Sequence, residues 1–473
     1  MVQGHPIVVV GAGPVGLAAA AELNAQGLPF VVLERGVEAG AAVAEWGHVR
    51  LFSMWRDLVD PAAEKLLVPR GWQRPSDDGY PTGAQWRDSY LVHLAEALGD
   101  RVRFGVEVTG VSRRGRDRVV DAGRDEQPFV VALRTDAGEE RLLARAVIDA
   151  SGTWTSPNPI GGNGLVALGE SRAADRIAYR IPDLTDPAVR ARHAGRTTAV
   201  VGRGHSALTV LVALAELAKD VPETRVLWVL RRDVGDAFGG GADDQLAARG
   251  ALGTTAQRAV EAGEIEVVTG FHTAEVRAGS DERLVLVSED ARELTSVDEV
   301  VAVTGFRPDL SFLSEVRLAL DTSLQAPVDL APLIDPNVHS CGTVYPHGAA
   351  ELSHPDADFY LVGMKSYGRA PTFLALTGYE QVRSVAAALA GDHESAARVE
   401  LTLPETGVCN GSGGVTDMAA DAGGACGPAD ATDVADETGG CCGSAAAQDA
   451  VAEQGDCGAR QPALVIDDRI ATP

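Results

Sequence analysis

The sequence predicts an α/β fold in which one strand–loop–helix–strand domain is inserted into another. Near the N-terminus, an apolar run, a glycine-rich loop and an alanine-rich helix follow one another over residues 4–35. The same order recurs over residues 197–232, and a further strand, loop and helix over residues 357–391 resume the first pattern. This order favours two Rossmann-like domains, the second of which interrupts the first.

The first glycine-rich loop has the spacing of a dinucleotide site. It follows an apolar strand and contains Gly11, Gly13, Pro14 and Gly16. Backbone amides of such a loop and the N-terminus of the next helix bind a pyrophosphate. The next strand ends in Glu34, and a carboxylate at that position accepts hydrogen bonds from a ribose diol.

The second loop has the same glycine spacing, but the strand after it ends in positive rather than negative side chains. Its residues are Gly202, Gly204, His205, Ser206 and Ala207, and alanine serves as the small third residue that helix packing needs. The next strand ends in Arg231-Arg232, which suits a 2′-phosphate, with Arg203 and Ser206 as candidate helpers. The pair of loops predicts FAD in the first site and NADPH in the second, with NADH as the alternative.

Composition excludes several classes of protein. The net charge of −26 argues against binding nucleic acid. No apolar run is long enough for a membrane helix, and no signal segment precedes the first strand, so we expect no membrane insertion and a cytoplasmic location.

The pattern also predicts domain boundaries. We expect the FAD-binding domain over residues 1–155 and 301–400, and the NAD(P)H-binding domain over residues 156–300. Residues 401–473 are rich in Gly, Ala and Asp and poor in aromatic residues, which predicts a disordered acidic tail.

Residues 4–395 resemble the two-dinucleotide flavoproteins, and particularly the flavin-containing monooxygenase branch. The resemblance is carried by the two loops, by the strand-to-glycine turns at residues 149–152 and 303–309, by the segment 46–56 and by the segment 360–373. It implies further cofactor contacts at Arg35, Trp46, Arg50, Ser151, Gly152, Thr304, Gly305 and Gly363. Trp46, Arg50, Trp55, Tyr367 and Arg369 are candidates for the flavin and substrate walls, and ordinary packing is the alternative for each.

The tail is similar to that of flavin monooxygenase-like proteins encoded in bacterial arsenic-resistance operons. The similarity is carried by the residues around Cys409 and by the pair Cys441-Cys442. Vicinal thiols are soft ligands that suit As(III) and other thiophilic ions. Capture of a metalloid by this pair is therefore one hypothesis, and a tail with incidental cysteines is the other.

The sequence departs from the monooxygenase pattern at two places. The FxGxxxHxxx(W/Y) signature is absent before the second loop, and the usual GxD of the last flavin contact is Gly363-Met-Lys365. The resemblance therefore transfers no acidic contact to the ribityl chain, and we assign no catalytic residue and no metal ligand.

These observations predict an FAD-dependent, NADPH-consuming monooxygenase. The resemblance implies a flavin hydroperoxide that oxygenates a soft nucleophile on a small molecule, and it suggests a link to arsenic resistance. A reductase that passes electrons to a quinone, metalloid or partner protein is the first alternative, and a metalloid-binding protein acting through its tail is the second. A disulfide reductase is disfavoured because no cysteine precedes Cys341 and no CxxC motif exists.

Overall fold

The computed structural model describes residues 4–244, 246–338, 347–371 and 373–401. Sixteen β-strands lie within these residues: β1 Ile7–Val10, β2 Phe30–Leu33, β3 Val102–Arg103, β4 Glu107–Arg113, β5 Phe129–Thr135, β6 Gly138–Ala144, β7 Ala146–Asp149, β8 Ile177–Ala178, β9 Thr197–Val201, β10 Arg225–Val229, β11 Glu266–Val268, β12 Thr273–Ala278, β13 Leu284–Ser288, β14 Glu293–Val297, β15 Glu299–Ala302 and β16 Phe359–Leu361.

Eleven α-helices accompany these strands in the same described ranges: α1 Pro14–Ala25, α2 Ala41–Ala44, α3 Pro61–Leu67, α4 Gly83–Trp86, α5 Val92–Leu98, α6 Pro187–His193, α7 His205–Asp220, α8 Ala247–Glu261, α9 Ala331–Ile334, α10 Ala375–Ala390 and α11 His393–Ala397. A π-helical segment, Arg87–Leu91, joins α4 to α5. Helix α4 begins at Gly83, where Thr82 and Gln85 form a capping box.

The first sheet has five parallel strands in the order β16-β7-β1-β2-β3. Strand β1 is buried on both faces, as its unbroken apolar sequence requires. Ile7 and Val9 pack on the helical side, with α1 and α10. Val8 and Val10 pack on the other side, against the antiparallel sheet β4-β5-β6.

The second sheet has the strand order β11-β10-β9-β15-β8, and its described pairs are also parallel. Val200 of β9 and Trp228 of β10 face α7 and α8. Ala199 and Leu227 face the opposite side, where the antiparallel sheet β12-β13-β14 packs. Each sheet is therefore a layer between helices on one side and a small antiparallel sheet on the other.

The chain order confirms the predicted α/β fold, with one dinucleotide-binding fold placed inside another. The first sheet is built before residue 150 and completed by β16, whereas the second sheet is built from β8 to β15. Strand β15 lies between β9 and β8 of the second sheet, and the chain returns to the first sheet after it.

The described residues bear on some of the remaining predictions and not on others. The predicted disorder of the tail concerns residues that lie outside them, as do its cysteines and Cys341. Within the described ranges, no helix is long and apolar enough to cross a membrane. The same ranges contain no group of three His, Cys, Asp or Glu side chains arranged to hold a metal ion.

Candidate functional site

The first glycine loop connects β1 to α1 and is shaped by contacts that only glycine allows. Gly11 has φ +99°, and a Cβ atom there would lie 2.9 Å from the carbonyl oxygen of Ala150. A Cβ atom on Gly16 would lie 2.0 Å from the carbonyl oxygen of Gly11. Gly13 caps α1, Pro14 is its first residue, and the space around Gly13 is open. The loop therefore leaves the N-terminus of α1 accessible to an anion.

Glu34 stands at the end of β2, beside this loop. Its two carboxylate oxygens accept hydrogen bonds from the amides of Ala12, at 2.6 Å, and Gly36, at 2.7 Å. Each oxygen keeps a second acceptor position, so the carboxylate can also accept from a diol. Arg35 is exposed, and no described hydrogen bond involves its side chain.

Three other predicted contacts lie at the same edge of the first sheet. Ser151 and Gly152 follow β7, and Gly363 follows β16, the two strands that continue the sheet from β1. Gly363 has φ +68°, and a Cβ atom there would lie 3.2 Å from the side chain of Val15 in α1. The structure therefore brings Gly363 against the helix that begins at the first loop.

A buried ion pair lies beneath this edge, and sequence reasoning missed it. The Lys365 ammonium lies 2.7 Å from a carboxylate oxygen of Asp149 and also donates to the hydroxyl of Ser151, at 3.0 Å. Lys365 further lies 4.4 Å from the ring centroid of Phe312. The only sign of this ion pair in the sequence is Lys365 itself, which stands where the resemblance leads one to expect an acidic residue. Because Ser151 accepts from Lys365, its own O–H remains available to donate outward.

The second loop repeats this geometry between β9 and α7. Gly202 has φ +143°, and a Cβ atom there would lie 2.4 Å from the carbonyl oxygen of Val303. Gly204 caps α7 with open space around it, and Ala207 is fully buried in the helix packing. Ser206 is exposed at the start of α7. The loop is therefore a second anion cradle at the carboxyl edge of the second sheet.

His205, the first residue of α7, meets the first domain. Its ring lies 5.6 Å from that of Phe52, in an edge-on arrangement. Burial, assisted by the positive charge of Arg249, lowers the pKa of His205 to about 4. The imidazole is therefore neutral at physiological pH and adds no charge to the loop.

Three arginines surround the second loop, and they have different partners. Arg231 and Arg232 follow β10 and are exposed, and Arg231 donates to the carbonyl oxygen of Gly162 at 3.1 Å. Arg203, predicted as a helper, forms an ion pair with Asp236. The exposed pair is thus placed where the next strand ends, whereas Arg203 is engaged by an acid.

The two crossings between the sheets run side by side. The amide of Asn158 donates to the carbonyl oxygen of Gly305, and the hydroxyl of Thr304 donates to that of Asn158, both at 2.9 Å. Beside them, the rings of Trp154 and Phe306 lie 4.9 Å apart. Thr304 and Gly305 therefore build the junction at the end of β15.

An ion pair adds a second link between the two domains. The guanidinium of Arg180 lies 3.0 Å from Glu45 and 4.7 Å from the ring centroid of Trp154. The indole N–H of Trp154 donates to Glu45 at 3.0 Å.

The residues predicted to form the flavin and substrate walls differ in their burial and in their partners. Trp46 packs against Gly83 and Trp86, Trp55 and Tyr367 are buried, and Arg369 donates to the side chain of Gln325. Arg50 is exposed and donates to the carbonyl oxygen of Tyr80. None of these side chains has a described hydrogen bond to either glycine loop.

Comparison with known proteins identifies the family. The profile of the pyridine nucleotide-disulphide oxidoreductases matches residues 8–331, which is more than half of the chain. The chain belongs to this family. It is therefore an oxidoreductase enzyme, and family membership supports FAD and NADPH as its cofactors.

Relatives of this oxidoreductase include named monooxygenases. Over 150 residues it is 35% identical to the indole-3-pyruvate monooxygenase YUCCA1 of Oryza sativa subsp. japonica, covering 32% of each chain. Over 253 residues it is 25% identical to the flavin-containing monooxygenase FMO GS-OX-like 2 of Arabidopsis thaliana, covering 47% of this chain and 51% of the relative. The matches thus span about a third to a half of these curated relatives.

Solved structures share the fold at low sequence identity. The bacillithiol disulfide reductase Bdr (YpdA) from Bacillus cereus has a TM-score of 0.59 and 18% identity, over 82% of this chain and 99% of that one. The cadaverine monooxygenase DfoA from Erwinia amylovora has a TM-score of 0.57 and 15% identity, over 85% and 98%. The flavin-containing monooxygenase from Stenotrophomonas maltophilia has a TM-score of 0.50 and 22% identity, over 81% and 99%.

The family name refers to disulfide reduction. The described residues of this oxidoreductase do not supply the cysteines that this reaction uses. They contain no cysteine, so they offer no dithiol at the carboxyl edge of either sheet. Transfer of electrons to a disulfide needs a sulfur near the flavin.

Proposed function

We propose that the protein is an NADPH-consuming, FAD-dependent monooxygenase that oxygenates a soft nucleophile, and that it acts in arsenic resistance. The observation that carries the proposal is the pair of glycine loops without any cysteine among the described residues. One dinucleotide could supply a hydride there and the other could accept it, and the described residues include no thiol to receive the electrons.

The residues that would hold the cofactors follow from the loops. The amides around Gly13 and the N-terminus of α1 would bind the FAD pyrophosphate, and Glu34 would accept from the ribose diol. Gly202 to Ala207 would bind the pyrophosphate of NADPH, and Arg231-Arg232 its 2′-phosphate. Bound FAD would supply hydride acceptance and oxygen activation, while the protein orients the reactants and excludes water.

The overall reaction would balance as one substrate, one O₂, one NADPH and one proton giving the oxygenated substrate, water and NADP⁺. Two electrons from NADPH reduce one oxygen atom to water, and the other atom is transferred to a lone pair of the substrate. A trivalent arsenical has such a lone pair. The link to arsenic rests on the similarity of the tail around Cys409 and Cys441-Cys442 to proteins of arsenic-resistance operons.

The test measures NADPH oxidation by the FAD-loaded full chain under ¹⁸O₂, with and without arsenite or a trivalent organoarsenical. We expect faster NADPH oxidation with substrate and one ¹⁸O atom in the oxidised product. Anaerobic NADPH oxidation with a quinone, together with unlabelled product under ¹⁸O₂, would instead establish a reductase.

A chain that lacks residues 404–473 provides the matched control. We expect it to retain NADPH oxidation and to lose affinity for arsenite if the tail captures metalloid. A truncated chain that loses the ¹⁸O-labelled product while it still oxidises NADPH would place the tail in substrate delivery.

A further inference from the structure

A cavity of about 440 Å³ lies in the first domain, apart from both glycine loops. Its lining includes Arg50, Trp55, Tyr80, Gln85 and Ser89. No residue of either loop and no acidic residue belongs to this lining. The volume of the cavity is within the range of small-molecule pockets.

The backbone around Arg50 is firmly held. The amide of Leu51 donates to the carbonyl oxygen of Pro81, and the amide of Gly83 donates to that of Val49, both at 2.9 Å. The amide of Trp55 donates to the carbonyl oxygen of Gly79 at 3.0 Å. These bonds fix the base of the Arg50 side chain against the opposite wall of the cavity.

The Arg50 guanidinium has donors to spare. One nitrogen donates to the carbonyl oxygen of Tyr80 at 2.5 Å, and no carboxylate lies within ion-pair distance of Arg50 among the described residues. The nearby acids are engaged elsewhere, since Asp78 pairs with Arg56 and Asp77 pairs with Arg74. A guanidinium has five N–H donors, so several remain for a ligand.

Other lining groups complement this charge. The side-chain oxygen of Gln85 accepts from the amide of Thr82, so its NH₂ group is the end left without an acceptor in the described part of the chain. The indole of Trp55 is 7% exposed, and Pro75 and Pro81 line the cavity beside it. The site thus combines a cation and an amide donor with apolar surface.

We propose that this cavity binds a small carboxylic acid with a flat apolar body. Arginine matches a carboxylate through two parallel N–H···O bonds, and the apolar wall accommodates the remainder of the ligand. In a chain of net charge −26, an anion meets less repulsion in a cavity without acidic lining than on an acidic surface. The proposal goes beyond the proposed function, because it requires no turnover.

The experiment is titration calorimetry of the FAD-loaded full chain with benzoate, with its neutral isostere benzamide and with inorganic phosphate. We expect benzoate to bind at least about tenfold more tightly than either, because a charge-assisted pair contributes more than a neutral hydrogen bond. Arg50→Gln should weaken benzoate binding about tenfold, and Arg50→Lys should have an intermediate effect.

Arg70→Gln is the matched control, because Arg70 is also exposed and donates to a backbone carbonyl, that of Leu66, outside the cavity. It should leave benzoate binding unchanged, and its FAD content should equal that of the unsubstituted chain. Any of four results overturns the proposal: no benzoate binding up to roughly 10 mM, equal affinity for benzamide, equal affinity for phosphate, or unchanged binding in Arg50→Gln.

Discussion

The ammonium of Lys365 lies 2.7 Å from the carboxylate of Asp149, and neither side chain is exposed to solvent. Asp149 ends β7, before the chain enters the second domain, and Lys365 follows β16, after it has returned. The pair therefore joins the two parts of the first domain at the edge where its glycine loop lies. Breaking such a pair is costly because it leaves one buried charge without compensation.

We expect Lys365→Met to lower the free energy of unfolding by about 3–5 kcal/mol, since the Asp149 carboxylate would stay buried without its partner. The double variant Lys365→Met/Asp149→Asn should recover much of this loss, because no net charge remains buried. Urea unfolding followed by tryptophan fluorescence measures both. Equal losses in the single and double variants would contradict the role of the ion pair.

The fold was largely predictable, whereas this ion pair was not. The loops at Gly11 and Gly202 are local patterns, because glycine spacing, the preceding strand and the following helix are all contiguous in the chain. Lys365 and Asp149 are 216 residues apart, and a lysine in a sequence ordinarily indicates an exposed position. Only the three-dimensional return of the chain brings them together.

The same distinction holds at the second site. Arg231 and Arg232 could be placed at the end of a strand from the sequence alone, and the structure has them there. The partner of Arg203 could not be predicted, because Asp236 reaches it from a loop 33 residues away. Similarly, β15 has the apolar pattern of a buried strand, and this pattern does not specify which of two sheets it joins.

Glu34 should control FAD affinity. Glu34→Gln keeps one acceptor oxygen, so we expect about a tenfold rise in the dissociation constant of FAD, and a larger rise for Glu34→Ala. Fluorescence titration of the apoprotein with FAD measures this. Glu38→Gln, an exposed carboxylate nearby, is the control and should leave FAD binding unchanged. An equal effect at both positions would argue against a specific ribose contact.

Arg231 and Arg232 should set the preference for NADPH. In the double variant Arg231→Ala/Arg232→Ala we expect the KM for NADPH to rise about tenfold or more, with the KM for NADH nearly unchanged, because only NADPH carries the 2′-phosphate. Steady-state NAD(P)H oxidation measures both constants. Arg225→Ala is the control, since Arg225 is exposed at the opposite end of β10. Parallel rises for both dinucleotides would contradict this assignment.

Glu22 gives the protein a pH-dependent stability. This carboxyl lies in α1 and is 9% exposed, and burial, with the nearby charge of Asp60, raises its pKa to about 7. The folded state therefore holds this proton more tightly than the unfolded state does. As pH rises from about 4.5 to 7, the unfolded chain releases the proton first, so the contribution of Glu22 to folding stability falls. Below this window the contribution is fully present, and above it the loss is complete.

Glu22→Gln removes this titration. We expect the variant to match the wild type near pH 4 and to be more stable by about 3 kcal/mol at pH 8, where the wild type must bury an ionised carboxylate. Melting temperatures measured from pH 4 to pH 8 follow the difference. Glu139→Gln, at an exposed position in β6, should leave the pH profile unchanged. A pH profile of Glu22→Gln parallel to that of the wild type would show that Glu22 does not carry this dependence.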